Sequence, residues 1–152
     1  MAKNSLIRDA SVEQNATLIG TFKGSITRSR DGKVVDFDSN NVFRRTTPEG
    51  TLQVFGLMRH PDADVDLRAE FQLADKDAPT GEYLVGTNSV SALFILFPLG
   101  PGYEYRALEG KIILQNHAPA EVRINGRLEF RTENKFGDQY DVALVFEATG
   151  ER

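Results

Sequence analysis

The residues able to do chemistry are few and scattered. His60 and His117 are the only imidazoles, and they stand in the turn-like stretches RHPD and NHAP. Two histidines and a carboxylate can hold zinc, but these two are not a local pair. The expectation is a pair of exposed turn residues. The acids make a stronger cluster. Asp36, Asp38 and Asn40 alternate in DFDSNN, as calcium ligands do at the start of an EF-hand loop. That loop needs glycine at its sixth place and glutamate at its twelfth. Asn41 and Thr47 stand there instead, so the match fails. Asp62, Asp64 and Asp66 in DADVD, and Asp75 and Asp77 in DKD, could gather calcium on loops. The plainer expectation is solvated turns in which aspartate bonds the backbone. Nucleophile motifs of the G-x-S-x-G, S-x-x-K and H-E-x-x-H types are absent. With no cysteine, disulfides, thiolate metal sites and cysteine nucleophiles are excluded. No cofactor is expected.

The more informative residues are apolar. From Ala92 to Leu99 nothing is polar. A strand that shows one face to water should be polar at every second position. TLQVFGLM is similar, with Leu52, Val54 and Met58 alternating with Phe55 and Leu57. KVVDFDSNNVFRR carries Phe37, Val42 and Phe43 in a mixed pattern. Strands apolar on both faces sit in a stack or at an interface. Their second face could be covered by the chain's own loops or amino-terminal segment, by another copy, or by a ligand. Phe55, Leu57, Phe94, Ile95, Phe97, Leu99, Tyr103 and Tyr105 are the candidate residues of such an apolar interface or pocket. Tyr103 and Tyr105, in GYEYR, share a face and would form a small aromatic platform. Arg123, Arg127 and Arg131 line one strand face, interrupted by Glu129, with Lys111 on a possible neighbouring strand. Cross-strand ion pairs on a solvated face are the expected use of that row.

These residues must be positioned by strands. Period-two patterning dominates from residue 18 onward. In EVRINGRLEFRT, Val122, Ile124, Leu128 and Phe130 share one face and the arginines the other. DVDLRAEFQL turns Val65, Leu67, Ala69, Phe71 and Leu73 inward and Asp66, Arg68, Glu70 and Gln72 outward to water. Leu18, Phe22 and Ile26, and Tyr140, Val142, Leu144 and Phe146, follow the same scheme. Asp31-Gly32 is a hairpin signal, and turn-rich stretches separate the remaining runs. About eight to ten strands follow at sandwich or barrel spacing. The predicted fold is all-β: an antiparallel two-sheet sandwich, with a flattened, lipocalin-like barrel as the alternative, although the lipocalin G-x-W is missing. Leu93 and Ile95 join the predicted interior, with Ile112, Leu114, Leu144 and the residues above. Residues 1–17 are expected to form a tail or a short helix capped by Asn4 or Ser5, and 18–152 a single β domain.

Three stretches in order, TGEYLVG, LEGKIILQNH and VRINGRLEFRTEN, followed by YDVALVFEATG, resemble the carboxy-terminal layout of uncharacterised bacterial β-sandwich domains, many of them lipoproteins. The resemblance covers roughly residues 50–148. It implies a sandwich and carries over no functional residue. A net charge of −4, from 22 acids and 18 bases, argues against a nucleic-acid partner. No run approaches the ~18 apolar residues of a membrane span. The start of the chain has no apolar core of signal-peptide length. A soluble cytoplasmic protein is expected, with export as the alternative should a leader precede Met1. The expected function is a non-enzymatic binding or assembly module, using an apolar sheet face or strand edge for a protein partner or another copy. The alternatives are a carrier of a small apolar ligand lined by Phe55, Phe94 and Phe97, and a hydrolase acting through paired carboxylates.

Overall fold

A computed structural model describes residues 19–86, 90–97 and 103–149. The expected tail or helix over 1–17, Leu18 and the candidate Leu99 lie outside the described residues. Ten strands are present: β1 (Ile19–Arg28), β2 (Val34–Ser39), β3 (Asn41–Thr46), β4 (Leu52–Arg59), β5 (Asp66–Leu73), β6 (Gly81–Leu84), β7 (Val90–Phe97), β8 (Glu104–Asn116), β9 (Arg123–Thr132) and β10 (Tyr140–Thr149). All pairings are antiparallel and run in the order β2-β1-β10-β9-β8-β7-β5-β4-β3, with β6 also on β8. The fold is all-β, an antiparallel sheet nearly closed into a flattened barrel. Among the described residues no helix is long and apolar enough to cross a membrane.

The ends of the strand order are consecutive in the chain. β2 and β3 are separated by Asn40 alone, so one bent stave joins the two faces. The mixed pattern of KVVDFDSNNVFRR comes from this corner. Phe37 and Ser39 are buried before it and Val42 after it, so the inward phase changes by one residue. Ser39, itself buried, pins the bend: its hydroxyl donates to the Leu57 carbonyl at 2.5 Å and accepts from the Asn41 amide at 3.0 Å. β8 makes the opposite corner. Glu104–Arg106 pair with β7, Lys111–Leu114 pair with β6, and the pairing with β9 slips between Ala107 and Glu109. A bulge of this kind bends a strand. A side chain at Gly110 would collide with the Glu129 carbonyl, and one at Gly126 with that of Ile113. Only glycine lets β8 and β9 approach so closely.

The face made of β3, β4, β5, β7 and the start of β8 is the first sheet; β2, β1, β10, β9, the rest of β8 and β6 make the second. Between them lies the main core. Phe22 on β1 and Phe146 on β10 meet Phe71 on β5, with ring centroids 4.8 to 6.4 Å apart. Each such ring contributes roughly 1.5–3 kcal/mol by burial and holds the two sheets together. At one end of the barrel Tyr105 and Tyr140 pack edge to face at 5.0 Å, and Phe94 meets Tyr140 at the same distance. Asp31-Gly32 forms the hairpin turn as expected, Gly32 in the left-handed region at φ 70°. β7 corrects one expectation. Its interior-facing residues are Ala92 and Phe94, so Leu93 and Ile95 point outward. A run that is apolar at every position contains no period from which to read the phase.

The cross-core position of Phe71 predicts that Phe71→Ala lowers unfolding free energy by about 3–5 kcal/mol. Val145→Ala, on an exposed position, should change it by less than about 0.5 kcal/mol. Urea unfolding of the two variants measures the contrast.

Candidate functional site

The unusual surface is the outer face of the first sheet. Strand register aligns Phe43, Phe55, Glu70 and Leu93 in one row, and Asn41, Leu57, Arg68 and Ile95 in the next. Arg45, Gln53, Gln72 and Ser91 form a third. Phe43, Phe55 and Leu57 make an apolar cluster separate from the main core. The Phe43 and Phe55 rings stack at 4.9 Å, as cross-strand aromatic pairs do. Arg68 sits over the Phe55 ring, its guanidinium carbon 3.8 Å from the ring centre. A cation over an aromatic face contributes about 0.5–2 kcal/mol, most when water is excluded.

Water is excluded here. Phe55 is 0% exposed, Glu70 3% and Arg68 8%. The sequence expectation that Arg68 and Glu70 point away from the core holds, but the expectation that they meet water does not. Both oxygens of Glu70 are satisfied: Oε1 accepts from Arg68 Nε at 3.0 Å and Nη2 at 2.5 Å, and Oε2 from Gln72 Nε2 at 2.8 Å. Beside them Arg45 Nε donates to the buried Gln53 side chain at 2.5 Å. The face is finished like an interior, apolar at its centre with its charges paired. It can hold an apolar segment, and its fixed charges can set that segment's register.

The sequence candidates divide between the two sides of the sheet. Phe55, Leu57, Ile95 and Phe97 occupy the outer side. Phe94 and Tyr105 point inward and are buried. Phe55 and Phe97 therefore do not line one pocket with Phe94. Tyr103 is half-buried and stacks at 5.1 Å on Phe136, so the aromatic platform pairs Tyr103 with Phe136 rather than with Tyr105. Sequence patterning missed Phe43, Arg68 and Glu70 as members of the outer cluster. The only available signal was their position opposite Phe55 and Leu57 once the strands are paired.

A cavity of about 80 Å³ opens at the tyrosine end, lined by Ile26, Val35, Leu67, Phe94, Leu96 and Tyr140, with Arg28, Lys33 and His60 at its rim. Arg28 is held by Asp31, Nη2 to Oδ2 at 2.7 Å; this bond keeps the Asp31 carboxyl well below the usual carboxylate range. Burial, reinforced by Tyr140 and Asp138, pushes the Tyr105 phenol up to about 12. On the second sheet the arginine row makes the expected cross-strand pairs: Arg123 to Glu147 at 3.3 Å and Arg131 to Asp141 at 2.8 Å. Arg127 pairs along its own strand with Glu129. Four of the acids considered for calcium, Asp64, Asp66, Asp75 and Asp77, are engaged within the chain. Arg59 binds both Asp64 and Asp66, and Asp75 bonds the Asp77 amide in a turn. Among the described residues no three His, Asp or Glu side chains form a group that could hold a metal ion. His60 accepts from the Asp62 amide, and His117 meets Asn125 at 2.5 Å.

No family model matches the chain, and neither a curated protein nor a solved structure matches it. The resemblance to bacterial sandwich domains rests on the quoted motifs alone.

Two predictions follow from this geometry. Removing either partner of a buried ion pair strands a charge and costs about 3–5 kcal/mol. Arg68→Met and Glu70→Leu should each destabilise on that scale, and the double variant by less than their sum; urea unfolding of the cycle checks it. For Tyr105, the ordinary value is 10 and the folded value about 12. The unfolded chain releases this proton first, so the phenol's stabilising effect is complete below pH 10 and lost as pH rises to 12. Unfolding free energy should fall across that window, and fall less steeply in Tyr105→Phe.

Proposed function

We propose that this protein is a non-enzymatic binding module whose working surface is the outer face of β3, β4, β5 and β7. The observation that carries the reading is the placement of Arg68. It lies above Phe55 on the side of the sheet away from the core, and is nevertheless buried with its Glu70 partner. An outward sheet face gains nothing from such a finish in water, where a charged pair is worth little. Dry surroundings make the same groups selective, because a wrong partner leaves a buried charge unpaired. The chemistry fits an amphipathic peptide segment. Apolar side chains would meet Phe43, Phe55, Leu57 and Ile95, and polar groups would meet the arginine–glutamate centre.

A second reading, the carrier of a small apolar ligand, is supported by the cavity at the tyrosine end. Its volume of about 80 Å³ is smaller than the roughly 150 Å³ that accepts benzene. It suits a group of a few carbons and not a lipid chain. The main core beside it is filled by phenylalanine rings.

Selection of a random peptide library on the full chain tests the binding reading. Enriched peptides should be amphipathic. Their affinity should fall about tenfold or more, ~1.4 kcal/mol, for Leu57→Asp on the outer face. Val145→Asp, outward on the second sheet, should bind them unchanged. No enrichment, or equal loss in both variants, would exclude this face as the binding surface.

A further inference from the structure

The centre of the outer face is buried, yet no described strand packs over it. Arg68, its guanidinium carbon 3.8 Å from the Phe55 ring centre, is itself only 8% exposed. Something must lie beyond it. Gln53 and Ile95, in different rows of the face, are buried too, so the cover extends along the strands as well as across them.

The candidates within this chain differ in reach. Residues 98–102 leave Phe97 and return at Tyr103. Gln53 is six residues along the strands from Phe97's row, roughly 20 Å at the rise of a strand. Five residues anchored at both ends do not cover that distance. Residues 87–89 and 150–152 are three each, shorter still. The eighteen residues before Ile19 are long enough. β1 begins beyond the reach of β2, whose pairing with β1 starts only at Phe22, and β1 is there the nearest second-sheet neighbour of β3. A segment leaving Ile19 therefore starts beside the first sheet. Three strand spacings, roughly 15 Å, separate β3 from β7, and eighteen residues span this with length to spare. The segment's sequence suits the face, with Leu6, Ile7 and Val12 for the apolar cluster and Asp9 and Glu13 for its arginines.

We propose that residues 1–18 lie across the outer face of β3, β4, β5 and β7 of the same chain. They occupy the binding surface until a competing segment displaces them. The inference rests on the reading of that face as the binding surface, and adds its resident occupant.

The chain has no cysteine, so Ser11→Cys gives a single site for a nitroxide label on the 152-residue chain. Amide signals of Leu57, Arg68 and Ile95 should lose most of their intensity to paramagnetic broadening. Those of Arg127 and Val145 should keep theirs. Mixing spin-labelled, unenriched chains with isotope-enriched, unlabelled chains should produce no broadening. Broadening only in the mixture would put a second copy's segment on the face and overturn the proposal; broadening elsewhere, or none, would overturn it as well. Selected peptides should restore the lost signals. If peptides bind the face but the label broadens nothing there, the occupant is wrong and the binding surface stands. If the label broadens the face and no peptide binds or displaces it, the occupant stands and the binding reading fails.

Discussion

The bend at Asn40 is the constraint on which the rest of the structure depends. A ten-stranded antiparallel sheet left open would expose two strand edges, and edges invite pairing with other chains. Here the two ends of the strand order are one continuous stretch of chain, turned at a single residue. The Ser39 hydroxyl fastens that turn to β4 through the Leu57 carbonyl. The bulge in β8 supplies the matching bend across the barrel. With both corners made, the sheet nearly closes around one side, and the phenylalanines of β1, β5 and β10 meet in the space.

Closure also creates the problem of the other side. Strands β4, β5 and β7 are apolar or buried on both faces, and the barrel can cover only one of them. The outer cluster solves part of this locally. Phe43 stacks on Phe55, the Arg68 guanidinium sits over the Phe55 ring, and Glu70 neutralises Arg68 while Gln72 completes the carboxylate's bonds. A buried ion pair adds little net stability compared with a well-packed apolar pair. What it supplies is orientation, because the pair is satisfied in one arrangement. That property suits a surface that must accept one segment and refuse others. It ties the packing of this sheet to the function proposed for it.

Much of the fold was legible because most strands keep a clean alternation. β5, β9 and β10 show inward residues at every second position, and those residues are buried as the pattern required. The Asp31-Gly32 turn was legible because few residue types adopt its backbone. β7 was not: the six successive apolar residues from Ala92 to Phe97 read equally well in either phase, so the pattern puts Leu93 and Ile95 inward as readily as Ala92 and Phe94. β2 and β3 read as a mixed pattern because the corner shifts the phase within one run. The site was half legible. Phe55, Leu57, Ile95 and Phe97 were recognisable as surplus apolar residues, while Phe94 and Tyr105, chosen for the same reason, belong to the interior. Arg68 and Glu70 looked like ordinary solvent-facing charges.

The sequence by itself determined that this chain is all-β, where most of its strands run, and that several of them are too apolar for one wet face. Those properties follow from local periodicity and turn chemistry, which act between residues a few positions apart. Only the tertiary structure decided which side of β7 faces the core, how β2 passes from one sheet to the other, and what surrounds Arg68. Each of these depends on residues distant in the chain, brought alongside by strand pairing; even Arg68, whose ion partner Glu70 is on its own strand, meets Phe55 from β4. A charge carries no mark in the sequence of whether water will reach it; that is settled by what the fold places above it.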